Sequence, residues 1–364
     1  MHAIPGRKYT HMKSVARMEL KPGMITAEDV LNYKNEIIVT ANTRINDTII
    51  EKLARQSIMV VPIKEDIDFA TTHFEKVRLS EGFKNFESTY KIYFPVFKHV
   101  VMNAVNNRLP INMDQLMDVY RNIIVCAKSG ELLLDYLYNM LPGEDDMTHA
   151  HCLNSALIAG VFGTWLGLSN EDTNLFIQSA FLYDIGKLSI PYQILWKPER
   201  LTSEEYRLVM RHTTIGYDFL KSYGDYNEHI LNATLQHHER CDGSGYPKAL
   251  SDTEIDRFAK YIAIVDTYEA MTSPRSYRQK LNPFQIIANY ENEGFVKYDY
   301  AAIKSILSHI ANAQLGFNVQ LNSGQIGEVI LINEKALSRP LVKMQDNSLL
   351  DMSTNKQLSI VAVF

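Results

Sequence analysis

Apolar residues recur at three- and four-residue intervals over most of the chain and alternate or cluster in short runs only toward its two ends, so helices are expected in the middle and strands at the margins. Between 16 and 66, Lys21-Pro22-Gly23 reads as a turn, Ile37 to Thr40 has strand composition, Asn46 can cap a short helix running through Leu53, and Ile58 to Ile63 reads as a second strand. From 67 to 140 the spacing is helical: Tyr93, Val96, Val100 and Ala104 form one stripe, Leu116, Val119, Ile123 and Cys126 another. Pro95 is expected in the first turn of its helix, where proline is tolerated, and Pro110 marks a break. Residues 141–320 carry the densest helix signals. Ser169 with Asp172 and Thr202 with Glu205 resemble capping boxes, so helices should start near 170 and 203, with Pro191, Pro198 and Pro247 in the links. After 320, Gly327 to Ile332, Pro340 to Met344 and Leu358 to Phe364 predict a short β-meander. The expected fold is mainly α: a small α+β unit over 1–66, a helical connector over 67–140, a helical core over 141–320 and a β-rich tail over 321–364. The connector helices can pack intramolecularly or form a homodimer interface.

Composition narrows the class. The 364 residues are 46% hydrophobic and 22% charged, a globular mix, with 37 Lys and Arg against 42 Asp and Glu for a net charge of −5. A mildly acidic chain argues against DNA as a general partner. Cys126, Cys152 and Cys241 are too few and too scattered for a disulfide framework, which fits a reducing cytoplasm. The N-terminal Met1 to Lys8 lacks the apolar stretch of a signal peptide. The longest apolar run, Leu153 to Ser169, falls short of the ~20 residues a membrane span needs, so it is read as a core helix.

The histidines are concentrated. Six of eleven lie between His149 and His238, where an even spread would put about three. Placed on the expected helices, His151, Asp184, His212, the pair His237 and His238, and Asp266 each fall on or beside an apolar face of one of five successive helices. One such histidine would be read as a hydrogen-bonded core residue. Six ligand-type residues are another matter, because charged and imidazole groups in a core are costly unless paired or metal-bound. Adjacent histidines on a helix point ~100° apart, so both can face one site only if it is wide, as a two-metal cluster is. Imidazoles with a bridging carboxylate and no thiolate favour Fe, Mn or another borderline cation.

At this point the residues resemble a known family. His237-His238-Glu239-Arg240-Cys241-Asp242-Gly243-Ser244-Gly245-Tyr246-Pro247 closely resembles the HHExxDGxGYP signature of HD-GYP domains, all-helical metal-dependent phosphodiesterases of bacterial cyclic di-GMP signalling. Ile185 to Pro191, Leu195 to Pro198, Leu201 to Glu204, Arg211 to Gly216, Asp266 to Thr272 and Arg275 to Arg278 follow in family order, so the likeness covers about 145 to 318. The N-terminal unit looks like a segment that precedes this domain in some members. The resemblance implies an HD-superfamily helical bundle and two divalent metal ions. His151 and Asp266 would bind the first, Asp184 would bridge, and His212, His237 and His238 would bind the second. Lys187, Arg275 and Arg278 would contact the substrate phosphates, with Lys187 and Asp184 the catalytic pair, and Tyr246 would lie near the guanine end of cyclic di-GMP.

One position departs from the pattern. The family's name begins with a His-Asp pair, and this chain has Tyr183-Asp184; the position that holds a third metal in some members is Met147. Tyr183 could bind a metal as phenolate. It could instead fill the histidine's space and leave water, Asp145, Asp146 or His149 as substitute ligand, or it could cost the first metal altogether. Three functions therefore stand side by side: a cyclic di-GMP phosphodiesterase, a cyclic di-GMP receptor that signals to a protein partner without cleaving, and a phosphohydrolase of another nucleotide.

Overall fold

The computed structural model describes residues 12–65, 72–140, 146–195, 197, 199–273, 280–293 and 295–364. The chain forms two compact units, one up to Glu81 and one from Gly82 onward.

The first unit is α+β. Strand β1 (Met12–Ala16) pairs antiparallel with β4 (Val60–Lys64), and β2 (Val30–Leu31) with β3 (Ile37–Val39). Helix α1 (Asp47–Arg55) starts at Asn46, whose side chain accepts from the Ile49 amide, and α2 (His73–Leu79) starts at a reciprocal Thr72–Glu75 capping box. Val15, Met24, Val39, Ile45, Leu53, Val61 and Ile63 fill the core between them.

The second unit opens with α3 (Glu81–Asn107), and here two expectations fail. Pro95 lies in the middle of this 27-residue helix. The amide it lacks would have bonded the Lys91 carbonyl, but both residues are exposed, so water can take that acceptor. The buried stripe also runs through Phe97 and Val101 and leaves Val96 43% exposed, because a 27-residue helix sets its own phase from Phe83 and Phe86 onward. Helices α4 (Met113–Ile124) and α5 (Gly130–Asn139) follow, with Leu116, Val119 and Ile123 buried as their spacing predicts.

Helix α6 (Met147–Trp165) is buried on all sides from His149 to Gly163 and is the axis of the bundle. Around it pack α7 (Asn170–Leu182) and α12 (Arg257–Thr272), with α4, α5 and α14 (Tyr300–Asn312) also against it. Between α7 and α12 come a 3-10 turn (Ile185–Ser189), α8 (Tyr192–Leu195), α9 (Ser203–Met210), α10 (His212–Tyr223) and α11 (Glu228–Gln236). The caps at Ser169 and Thr202 form where the sequence places them. Helix α13 (Pro283–Glu293) precedes α14.

The C-terminal sheet has the order β8-β7-β6-β5-β9. Strands β5 (Asn318–Leu321), β6 (Ile326–Leu331), β7 (Leu341–Met344) and β8 (Leu349–Asp351) form an antiparallel meander, and β9 (Ile360–Val363) returns to pair with the free edge of β5. Among the described residues no helix is long and apolar enough to cross a membrane.

Candidate metal centre

Two ligand clusters share one carboxylate. Asp184, His212, His237 and His238 present donor atoms that all lie within 4.8 Å of one another, and so do His151, Asp184 and Asp266. The close packing that brings them together depends on two glycines. A Cβ on Gly186 would sit 1.9 Å from the His212 carbonyl oxygen, and one on Gly216 would sit 2.9 Å from Thr234 Cγ2 and 3.1 Å from the Gly186 nitrogen. Without side chains there, the turn after Asp184 lies directly on the first turn of α10, which carries His212.

In the first cluster the imidazole tautomers are set from behind. His212 donates its Nδ1–H to the Val209 carbonyl at 2.7 Å; His237 donates its Nδ1–H toward the Ala233 and Thr234 carbonyls, each at 3.1 Å. Both Nε2 lone pairs then point inward, 3.2 Å from each other and 3.3 and 3.5 Å from Asp184 Oδ1. Burial lowers the pKa of His212, and burial with the neighbouring His237 holds His238 well below its ordinary value, so both favour the neutral, ligand-competent form. Asp184 Oδ1 is fully buried and accepts no hydrogen bond from the described residues. Burial alone would raise the Asp184 pKa, but the Lys187 ammonium, with His151 beside it, overcomes this and holds the carboxyl well below the usual range. Three buried acceptors facing one another with no proton between them are unfavourable unless a cation sits among them. The donor set therefore fits a divalent metal on the first cluster's own geometry.

The second cluster is built differently. His151 Nδ1 lies 2.5 Å from Glu269 Oε2, and Glu269 also accepts from Asn154 Nδ2 at 3.0 Å and from the Ser273 hydroxyl. Asn154 Oδ1 in turn accepts from the Tyr90 hydroxyl at 2.9 Å. This buried relay orients the imidazole so that Nε2 faces Asp266 Oδ1 at 3.0 Å and Asp184 Oδ2 at 3.3 Å. Tyr183 enters the same space. Its Oη lies 2.6 Å from His151 Nε2, 3.0 Å from Ser155 Oγ and 3.5 Å from Asp266 Oδ1. Burial, then the carboxylates of Asp266 and Asp184, push the phenol pKa well above its ordinary value of 10, so without a metal it is neutral.

Around the clusters, Lys187 Nζ lies 2.5 Å from Asp184 Oδ2 with its side chain 18% exposed. Tyr246 stacks on the His238 ring at 4.6 Å and 20°. Its loop is held by Glu239, a buried carboxylate that accepts from the Lys248 amide at 2.7 Å and the Leu250 amide at 2.9 Å. Gly245 is required there, since a Cβ would meet Glu239 Cα at 2.4 Å. Arg275, Arg278 and Asp145 lie outside the described residues. Asp146 pairs with Lys98 at 2.5 Å, and His149, though buried beside Cys152 and Asp184, contributes to neither cluster. Glu239, Glu269 and Asn154 were not singled out from the sequence. For the last two a signal existed: each stands three residues after a candidate ligand, Asp266 and His151, on the same helical face.

Comparison with known proteins bears on the helical domain that carries these residues. Residues 135–301 match a family model described as HD domain. The cyclic di-GMP phosphodiesterase PdeB of Borreliella burgdorferi is 28% identical over 215 residues, 58% of this chain and 56% of that protein. A cyclic di-GMP phosphodiesterase of Thermotoga maritima is 38% identical over 195 residues, 49% of this chain and 52% of the relative. The 3'3'-cGAMP-specific phosphodiesterase 1 of Vibrio cholerae is 33% identical over 156 residues, 42% and 36% of the two chains. The chain thus spans about half, or less, of the length of these relatives. Residues 135–301 of the chain thus carry an HD domain, and within it His237–Pro247 resembles the HD-GYP signature.

Proposed function

We propose that this chain is a metal-dependent phosphodiesterase that opens a 3'-5' phosphodiester of cyclic di-GMP, with both clusters engaged during turnover. The observation that carries the reading is the buried Asp184 Oδ1, orphaned between the inward-facing Nε2 atoms of His212 and His237. His212, His237, His238 and Asp184 would hold one cation, and His151, Asp184 and Asp266 the other; imidazole and carboxylate donors suit iron or manganese. Two such cations, when bound, supply Lewis acidity and an activated nucleophile at neutral pH.

The chain's own residues do the rest. Asp184 offers one oxygen to each cluster and so ties their positions together. The backbone carbonyls behind His212 and His237, and Glu269 behind His151, keep the rings from rotating. Lys187 places a partly exposed ammonium beside the buried Asp184, where it would neutralise a phosphate oxygen, and Arg275 and Arg278 would hold the remaining oxygens through their planar forks. The Tyr246 ring, stacked on His238, offers an apolar wall on which a guanine base would lie.

Two of the relatives above are cyclic di-GMP phosphodiesterases and one is specific for 3'3'-cGAMP, so the base identity is the finer question. Turnover of cyclic di-GMP, 3'3'-cGAMP and cyclic di-AMP by manganese- or iron-loaded protein tests it. Preference for cyclic di-GMP is expected; cleavage of another substrate alone would select a different phosphohydrolase. The phenol of Tyr183 against His151 favours a second reading, a cyclic di-GMP receptor passing its signal to a protein partner, which tight binding without turnover in saturating metal would select. A homodimer through the 67–140 helices draws support from Ile92 and Val96, one turn apart on α3 and 64% and 43% exposed. Its test is the mass of the purified protein in solution.

A further inference from the structure

The two clusters are not alike in what they still need. In the Asp184–His212–His237–His238 cluster the ring N–H groups of His212 and His237 are engaged by backbone carbonyls, and among the described residues no proton donor reaches Asp184 Oδ1 between the rings. In the His151–Asp184–Asp266 cluster the acceptors are already served. The 2.6 Å contact between Tyr183 Oη and His151 Nε2 needs a proton between the two atoms, and whichever atom carries it, the lone pair a cation would use is taken. Ser155 Oγ gives the phenol a second partner at 3.0 Å, and Lys187 Nζ already neutralises Asp184 Oδ2. Tyr183 is fully buried, edge-on to the rings of His151 and His237, so it cannot swing away without opening the core.

We propose that the centre fills unequally: one divalent cation binds tightly among Asp184, His212, His237 and His238, and Tyr183 makes the His151–Asp184–Asp266 cluster a weak second site. A cation entering there must displace the hydrogen bond from the phenol, one of the buried, charge-adjacent kind. Tyr183 therefore weakens the second site about 10- to 100-fold. The chain would carry one metal at low metal concentration and two only when metal is abundant, so the second site would set whether the centre is complete. The inference rests on the metal-dependent reading above, and its test uses no substrate, so the two can fail separately.

The full chain is stripped with chelator and titrated with Mn(II), counting bound metal by elemental analysis and free Mn(II) by its electron paramagnetic resonance signal. The wild type is expected to take up one tight equivalent and a second about 10- to 100-fold weaker. In Tyr183→Phe, which deletes the hydroxyl and keeps the ring, the second should tighten by about that factor while the first is unchanged. Tyr183→His is the second variant should the phenylalanine not fold, and it should bind two equivalents with similar affinity. Two tight equivalents in the wild type, or a second affinity that neither variant changes, would overturn the proposal. So would a metal lost in Tyr183→Phe together with a visible charge-transfer band on loading wild type with Fe(III), since both mark the phenolate as a ligand. No tight metal in any form would overturn the metal-dependent reading itself.

Discussion

Gly186 is the position where a single methyl group should separate the two halves of the centre. In Gly186→Ala the new Cβ would start 1.9 Å from the His212 carbonyl oxygen and 2.7 Å from the Gly216 nitrogen, both backbone atoms that cannot rotate aside. To reach ordinary contact the Asp184-bearing turn and the start of α10 must part by about 1.5 Å. That displacement acts directly on the 3.3 Å approach of His212 Nε2 to Asp184 Oδ1. A misplacement of ~1 Å at a reacting centre costs about 100-fold in rate, and overpacking a buried contact costs about 1–3 kcal/mol, a fall in Tm of roughly 2–10 °C for a unit of this size. The assay pairs a thermal melt with bound metal per chain and turnover. The expected result is a modest loss of Tm, loss of the tight metal and at least a 100-fold loss of activity. A variant that melts as the wild type does and keeps its metal would show that the close approach at Gly186 does not position Asp184.

Three further outcomes follow from the contacts around the centre. Glu269→Gln keeps the shape but weakens the acceptor behind His151, so metal affinity at the His151 cluster should fall about 10- to 100-fold in equilibrium dialysis, with the other cluster unchanged. Glu239→Gln exchanges a carboxylate for an amide under the Lys248 and Leu250 amides, which should cost about 1–3 kcal/mol of loop stability; KM for the dinucleotide should rise while bound metal stays constant, and a metal loss would place Glu239 in the centre itself. Removing metal from protein kept with free metal at ~100 times the dissociation constant removes about 2.7 kcal/mol of stabilisation, so chelation should lower Tm by several degrees and an unchanged melt would argue against tight binding.

Much of the centre was legible because ligand chemistry is tied to residue type. His151, Asp184, His212, His237, His238 and Asp266 stand on or beside apolar faces, and the structure brings their donor atoms into the two clusters. What periodicity misjudged was local. A proline can be predicted at a helix start but not the tertiary setting that tolerates it mid-helix, as Pro95 shows: the exposed Lys91 carbonyl makes the missing bond cheap. Val96 and Phe97 are adjacent apolar residues, and which of them faces inward depends on the phase of the whole helix. The supports behind the ligands were harder to read. Glu239 works through backbone amides nine and eleven residues away, a relation no helical spacing encodes. Tyr183 was visible as a departure from the pattern, but only the geometry shows its hydroxyl against His151 and Ser155.

The most direct test of the account is to follow cyclic di-GMP to products with protein whose bound metal has been counted in the same sample. The account predicts linear dinucleotide or GMP, formed only when metal is bound, abolished by chelation, and absent in Asp184→Asn. Intact cyclic di-GMP after prolonged incubation with protein carrying two metals per chain would contradict it.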